Sequence, residues 1–311
     1  MHKVLITTSS FGKIDTSPLD KLKANNFEAV LNPFGRKLSE EEILALILEH
    51  QPYALLAGVE PLTAKVLEAA SPKLKTISRC GIGMDSVDIN AAKDLGITVT
   101  NTPDAPTIPV AELTMGMILG LLRQIHVTDA GIRKDRWERP MGVLLYGKTV
   151  GIVGCGRIGT RLARNLQGFD CTVLGADPVR PECADFQLVD LEQLLTASDI
   201  ISLHLPYCDQ THHFMNAGRL AMMKKGAYLV NAARGGLVDE DALFQALSSG
   251  HLAGAALDCF EQEPYQDPLK ELKNVLLTAH IGSYAREGRV MMENQAADNL
   301  LRELKNQGVA P

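Results

Sequence analysis

The chain has 311 residues, more than one small core requires and enough for two compact domains. Its 46% hydrophobic and 22% charged residues are an ordinary soluble mixture. A formal charge of -6 argues against a nucleic-acid surface, which would be basic. No apolar run reaches the roughly 18 residues of a membrane span.

The opening MHKVLITTSS enters an apolar strand directly, without a charged leader or cleavage signal. No export peptide is expected, and the cytoplasm is the expected compartment. In the first third, strands are predicted near Lys3–Ser9, Tyr53–Gly58, Leu74–Cys80 and Ile97–Asn101, with helices between them. In SEEEILALILEH, Ser39 can cap the N-terminus and Glu42 can complete a capping box. SVDINAAKDLG is a second helix, closed by Gly96.

Asn101–Pro109 holds three prolines in nine residues, so no regular element is expected there. One long helix is predicted next, from Val110 to Arg136. From Lys148 a second strand–helix series runs through KTVGIVG, CTVLGAD, IISLHLP, AYLVNAA, LAGAALD and NVLLTA, and a last helix spans Tyr284 to Lys305. Strands alternating with helices predict an α/β chain of two Rossmann-like lobes with parallel sheets. One lobe is expected over 1–102 with 284–311 and the other over 103–283. Ligands are expected in the crevice between the lobes, beyond the carboxyl ends of the strands.

Within VGIVGCGRIGTRLA, Gly154, Gly156 and Gly159 form G-x-G-x-x-G between an apolar strand and a helix. Gly154 allows the turn, Gly156 lets the backbone approach a pyrophosphate, and Gly159 lets helix and strand pack. The diphosphate would rest on backbone N–H groups at the helix N-terminus, beside Arg157 and Ile158. Asp177, about 18 residues beyond Gly159, stands where a carboxylate accepts ribose hydroxyls and disfavours the extra phosphate of NADP. NAD is therefore the expected cofactor, with Arg180 as a counter-indication.

Chemistry on a 2-hydroxy acid needs a proton carrier near neutrality and a planar cation for the carboxylate. NAARGG supplies Arg234, FEQEP supplies Glu263 and LLTAHIGS supplies His280, each at or beyond a predicted strand end. A carboxylate beside an imidazole orients it and favours its charged form. Arg234, Glu263 and His280 are the catalytic candidates. In RCGIGMD, the backbone N–H groups of Ile82 and Gly83 could hold a substrate carboxylate, with Arg79 adding positive charge. His204 is a candidate neighbour of the cofactor loop. The six cysteines (Cys80, Cys155, Cys171, Cys183, Cys208 and Cys259) contain no CxxC pair and are expected as free thiols. His212–His213 has no matching ligand cluster, and no metal is expected.

RCGIGMDSVDI, NTPDAPTIPVAELT, LLYGKTVGIVGCGRIGTRLA, NAARGGLVDEDAL, AALDCFEQEP and TAHIGS together resemble the D-isomer-specific 2-hydroxyacid dehydrogenases, over about Tyr53 to Arg286. The resemblance implies a flavodoxin-like substrate-binding domain (1–102 with 284–311), an NAD-binding Rossmann domain (103–283) and reversible NAD-dependent hydride transfer between a D-2-hydroxy acid and its 2-keto acid. By that likeness His280 is the general acid–base, Glu263 its partner and Arg234 the substrate clamp. Asp258 lies near the nicotinamide carboxamide and Thr107 faces the cofactor. The cofactor set implied also takes in Leu205, Pro206, Thr211, Ala232, Ala233 and Gly282. The resemblance further implies a homodimer, with Asp135–Pro140 and the lone Trp137 at its interface.

The phosphoglycerate dehydrogenases are the most similar branch, through ISRCGIGMDSVD, RWERPMG and NAARGGLVDE, and Arg79 is similar to their basic residue near the substrate phosphate. Ala57 and Gly58 stand where many of them place a second arginine. The chain ends at Pro311, so no C-terminal serine-sensing domain is expected, and no feedback through one. Substrate candidates are 3-phosphoglycerate, glyoxylate, hydroxypyruvate and larger 2-keto acids. The alternatives are a glyoxylate/hydroxypyruvate reductase, an NAD-sensing interaction protein on the same scaffold, and a formate dehydrogenase of related build. Retained Arg234, Glu263 and His280 weigh against the sensor.

Overall fold

A computed structural model describes residues 2–179, 181 and 183–309. The chain divides into two compact units, Met1–Pro106 with Ser283–Pro311, and Thr107–Gly282. Both are α/β with all-parallel sheets.

The first unit holds five strands: β1 (His2–Ile6), β2 (Phe27–Leu31), β3 (Ala54–Ala57), β4 (Thr76–Arg79) and β5 (Thr98–Asn101). Their order is β2-β1-β3-β4-β5, the flavodoxin-like arrangement. β3 and β4 are buried at every position, as strands covered by helices on both faces must be. The helix Glu40–His50 starts at the expected capping box: Glu42 N–H donates to Ser39 Oγ at 3.3 Å, and Ser39 N–H to Glu42 Oε2 at 2.9 Å. The last helix, Arg286–Asn306, returns to this unit and buries Met292, Ala296, Ala297, Leu300 and Leu304 against Val4, Ile6 and Leu56.

The second unit holds seven strands: β6 (Thr149–Val153), β7 (Thr172–Ala176), β8 (Gln187–Leu188), β9 (Ile200–Leu203), β10 (Tyr228–Asn231), β11 (Gly254–Leu257) and β12 (Val275–Leu277). The order β12-β11-β10-β9-β6-β7-β8 is doubly wound, switching direction between β6 and β9. That switch is where such sheets bind nucleotides.

Three local expectations are corrected. β2 was not foreseen: its FEAVL is mostly exposed, and pairing with β1 (His2↔Phe27 to Ile6↔Leu31) holds it as an edge strand. The long helix is two, Thr107–Leu122 and Ile125–Ile132, bent by 67° where Gln124 turns left-handed at φ 53°. The first of these begins inside the proline-rich stretch. Pro109 occupies its first turn, where the missing N–H breaks no helical bond.

No single helix among the described residues is long and apolar enough to cross a membrane. Arg180 and Pro311 lie outside the described residues.

Candidate active site

β6 delivers the chain into the glycine loop, and each glycine has a separate reason. A Cβ on Gly154 (φ 94°) would stand 2.5 Å from the His204 carbonyl oxygen, so the loop presses on the β9 end. A Cβ on Gly159 would stand 2.1 Å from the Gly154 carbonyl oxygen, which forces the helix Arg157–Leu166 against the turn. Gly156 is different: nothing lies within 4 Å of its Cβ position. It is the open cradle at a ten-residue helix N-terminus that a diphosphate requires. Asp177, just past β7, accepts Cys155 N–H on Oδ2 and Val179 N–H on Oδ1, both at 2.8 Å. Each oxygen retains a lone pair for a ribose hydroxyl. This chain's residues therefore fit a dinucleotide.

Around the loop, His204 N–H donates to the Val153 carbonyl at 2.7 Å, and its Nε2 meets Ser202 Oγ at 2.9 Å. The ring is enclosed although part of the residue is exposed. Burial pushes this imidazole down to about 4, so it is neutral near pH 7. Its Nδ1 and the Thr107 hydroxyl are buried without a protein partner, at two of the positions expected to face a cofactor. Thr211 Oγ1 donates to the Pro206 carbonyl and accepts Cys208 N–H, both at 2.8 Å, closing the loop that follows Leu205.

The acid–base candidates are brought together. His280 Nδ1 lies 2.9 and 3.0 Å from the two oxygens of Glu263, and Oε1 also accepts Phe260 N–H at 3.1 Å. The second ring nitrogen, Nε2, points to the other side of the imidazole. His280 itself is held left-handed, at φ 53°. Asp258, 1% exposed, explains how: it accepts Thr278 Oγ1 (2.6 Å), Ile281 N–H (2.8 Å) and Gly282 N–H (2.7 Å), straddling the histidine. Asp258, expected near the nicotinamide carboxamide, is also the clamp on the His280 loop.

Arg234 follows β10. Buried Asn231 shapes the turn by accepting Ala233 N–H at 3.1 Å and donating to the Arg234 carbonyl at 2.8 Å. Arg234 Nη1 donates to the Ala233 carbonyl at 2.8 Å, and Ala232 is buried beneath. Gly235 abuts the next loop so closely that a Cβ would fall 1.8 Å from the Phe260 carbonyl carbon. The Arg234 turn and the Glu263 loop are thus packed backbone to backbone. Sequence reading missed Asn231 and Gly235 as site-shaping residues, although both stand in NAARGG. His212 and His213 stack at 3.9 Å, and His213 pairs with Glu261. Among the described residues no group of three or more His, Cys, Asp or Glu could hold a metal ion.

In the first unit, Arg79 ends β4, is 6% exposed and donates to the Cys80 carbonyl. Gly81 (φ 143°) forms the turn, fixed by its N–H to Thr102 Oγ1 at 2.8 Å. The Ile82 carbonyl accepts from Asn101 Nδ2 at 2.8 Å, and Gly83 follows, partly exposed.

A glycine cradle at the switch point of a doubly wound sheet, with a histidine–carboxylate pair at neighbouring strand ends, defines a nucleotide-binding α/β protein of the oxidoreductase class. Residues 115–282 match the model of the D-isomer specific 2-hydroxyacid dehydrogenase NAD binding domain, and the chain belongs to that family. It is 43% identical over 282 residues to a glyoxylate reductase of Thermofilum pendens, covering 86% of this chain and 83% of that protein. It is 40% identical over 278 residues to a D-3-phosphoglycerate dehydrogenase of Methanocaldococcus jannaschii, covering 87% of this chain. The chain spans about half the length of that relative (53%). The crystal structure of TT0316 protein from Thermus thermophilus superimposes with a TM-score of 0.89 at 36% identity, covering 98% and 97% of the two chains.

Proposed function

We propose that this protein is an NAD-dependent dehydrogenase interconverting a D-2-hydroxy acid and its 2-keto acid. One observation carries the reading: the Glu263 carboxylate holds His280 Nδ1 through both oxygens, which turns Nε2 outward as the proton-carrying atom. When bound, the reduced nicotinamide supplies the hydride. His280 donates its Nε2 proton to the C2 oxygen as that hydride reaches C2, so keto acid, hydride and proton give the hydroxy acid. Glu263 stabilises the imidazolium and sets the ring's orientation. Arg234 holds the substrate carboxylate and offsets charge on the C2 oxygen. The backbone N–H groups of Ile82 and Gly83 share that carboxylate with Arg234, and Arg79 adds positive charge beside them. Gly154, Gly156, Arg157, Ile158 and Gly159 hold the diphosphate. Asp177 holds the ribose, and Thr107, His204 to Pro206, Thr211, Ala232, Ala233, Asp258 and Gly282 complete the cofactor's surroundings.

A homodimer is part of the proposal. The second unit exposes Ile125 (57%), Ile132 (57%), Trp137 (82%), Met141 (89%), Leu144 (63%) and Tyr146 (68%) along one stretch of chain. Apolar exposure this concentrated marks a protein contact. The cytoplasm is the proposed compartment, supported by six unpaired thiols.

The test follows NADH absorbance with purified protein and a panel of 2-keto acids. Turnover by the wild type is expected, with kcat reduced by about 10²–10⁴-fold in His280→Ala and NADH binding kept. A variant with most of its turnover intact refutes the role of His280. Silence across the panel with NADH bound favours the sensor alternative.

A further inference from the structure

The loop that carries Glu263 is also gripped from outside the acid–base pair. Glu261, earlier in the same loop, is held through both its backbone and its side chain. Its N–H donates to Glu240 Oε1 at 2.8 Å, at the start of the helix Glu240–Ser248. Its carboxylate takes a hydrogen bond from His213 Nε2, which must be the donor because a carboxylate only accepts. The neutral Nε2–H tautomer and the imidazolium can both make this bond.

His213 is set for this contact by an uncommon backbone. It is left-handed, at φ 48°, a conformation that an L residue keeps only where its surroundings fix it. Its N–H donates to the Gly236 carbonyl at 2.8 Å, in the turn that Arg234 begins. Its ring stacks on His212 at 3.9 Å, and His212 Nδ1 meets the Tyr207 hydroxyl at 3.2 Å. Tyr207 in turn fills the space beside Gly236, where a Cβ would stand 2.5 Å from its ring. One residue therefore ties two loops, by its N–H to the Arg234 turn and by its Nε2 to the Glu263 loop. The side chains of His213 and Glu261 are partly exposed, and an ion pair in water adds little to stability. What the pair fixes is where the Glu263 loop lies against the Arg234 turn. The Gly235–Phe260 contact limits how close the two come, and the His213–Glu261 bond limits how far they part.

We propose that His213 and Glu261 are positioning residues for the acid–base pair: their bond sets the loop so that Glu263 meets His280 Nδ1 through both oxygens. This rests on the reading above, in which Glu263 orients His280. Neither residue touches the reacting atoms. Glu263 Oε1 serves Phe260 N–H as well as the imidazole, so the carboxylate has little freedom to follow a displaced loop. A loop free to part turns the two-oxygen contact into a one-oxygen contact, and the ring loses its set orientation.

Glu261→Ala removes the carboxylate and keeps the N–H bond to Glu240, whereas Glu261→Gln keeps an oxygen that accepts from His213. In Glu261→Ala, kcat is expected to fall about 5-fold, with the KM of the keto acid and the affinity for NADH within about 2-fold of wild type. His213→Ala should give the same loss, and serves in its place if Glu261→Ala does not fold. Glu261→Gln should recover most of the turnover. In a Glu263→Gln background, Glu261→Ala should change kcat by less than about 2-fold, because the contact it positions is already weakened. The ring-proton NMR resonance of His280, assigned by its loss in His280→Gln, should move in Glu261→Ala and stay in place in Glu261→Gln. Full kcat in Glu261→Ala, an equal loss in Glu261→Gln, or an undiminished loss in the Glu263→Gln background overturns the inference and leaves the dehydrogenase reading standing. If no 2-keto acid is turned over although NADH binds, that reading fails separately, and the resonance decides the positioning role: an unmoved signal overturns it.

Discussion

Asp258→Asn changes one oxygen for an NH2 group at the clamp on the His280 loop. The carboxylate accepts three short bonds: Thr278 Oγ1 and Ile281 N–H on one oxygen, Gly282 N–H on the other. An amide has one acceptor. Its best orientation keeps the bonds to Thr278 and Ile281 and turns NH2 toward the Gly282 N–H, donor against donor. One charge-assisted bond is lost outright, at about 1.5–3 kcal/mol, and the other two lose their ionic part. Because Asp258 is 1% exposed, no water replaces what is lost. A destabilisation of about 3 kcal/mol follows. At ~2–4 °C per kcal/mol for a unit of this size, the thermal transition should fall by about 6–12 °C. His280 is held at φ 53° by the same bonds, so its ring should lose its set position, and kcat should drop by about 10–100-fold. Calorimetry and steady-state kinetics on the one variant check both. A melting temperature within about 1 °C of wild type, with kcat preserved, would refute the clamp.

Gly235→Ala places a methyl 1.8 Å from the Phe260 carbonyl carbon, which no rotamer relieves. The Glu263 loop must move, and a loss of at least ~2 kcal/mol in stability together with a falling kcat is expected in urea titrations and turnover assays. Wild-type values in both would show that the two loops are not locked together. Glu240 accepts Glu261 N–H at 2.8 Å, yet burial, joined by the charges of Glu261, Asp267 and Asp241, pushes its carboxyl up to about 7. A carboxyl raised on folding contributes stability below its ordinary value of 4.5 that is lost as pH climbs through about 7. Glu240→Gln should therefore be more stable than wild type at pH 8, by about 1 kcal/mol once solvent screening of a half-buried group is allowed for, and not at pH 4. Urea unfolding at the two pH values decides it, and an equal effect at both removes the titration from the account.

Much of this molecule is written locally. The alternation of buried strands with amphipathic helices, the Ser39–Glu42 capping box, the spacing of Gly154, Gly156 and Gly159, and Asp177 at the end of the next strand each depend on neighbours in sequence. Arg234, Glu263 and His280 were legible because parallel α/β topology places strand ends, and hence their loops, on one face. What sequence could not decide was which groups meet. β2 exists through its pairing with β1, not through its own mostly exposed FEAVL. The break at Gln124 interrupts a helical pattern that continues on both sides. The partnership of Asp258 with Gly282, of Gly235 with Phe260, and of His213 with Glu261 depends on contacts set by packing. Propensity and periodicity act over a few residues, whereas the desolvation that makes a buried carboxylate consequential exists only once the chain has closed around it.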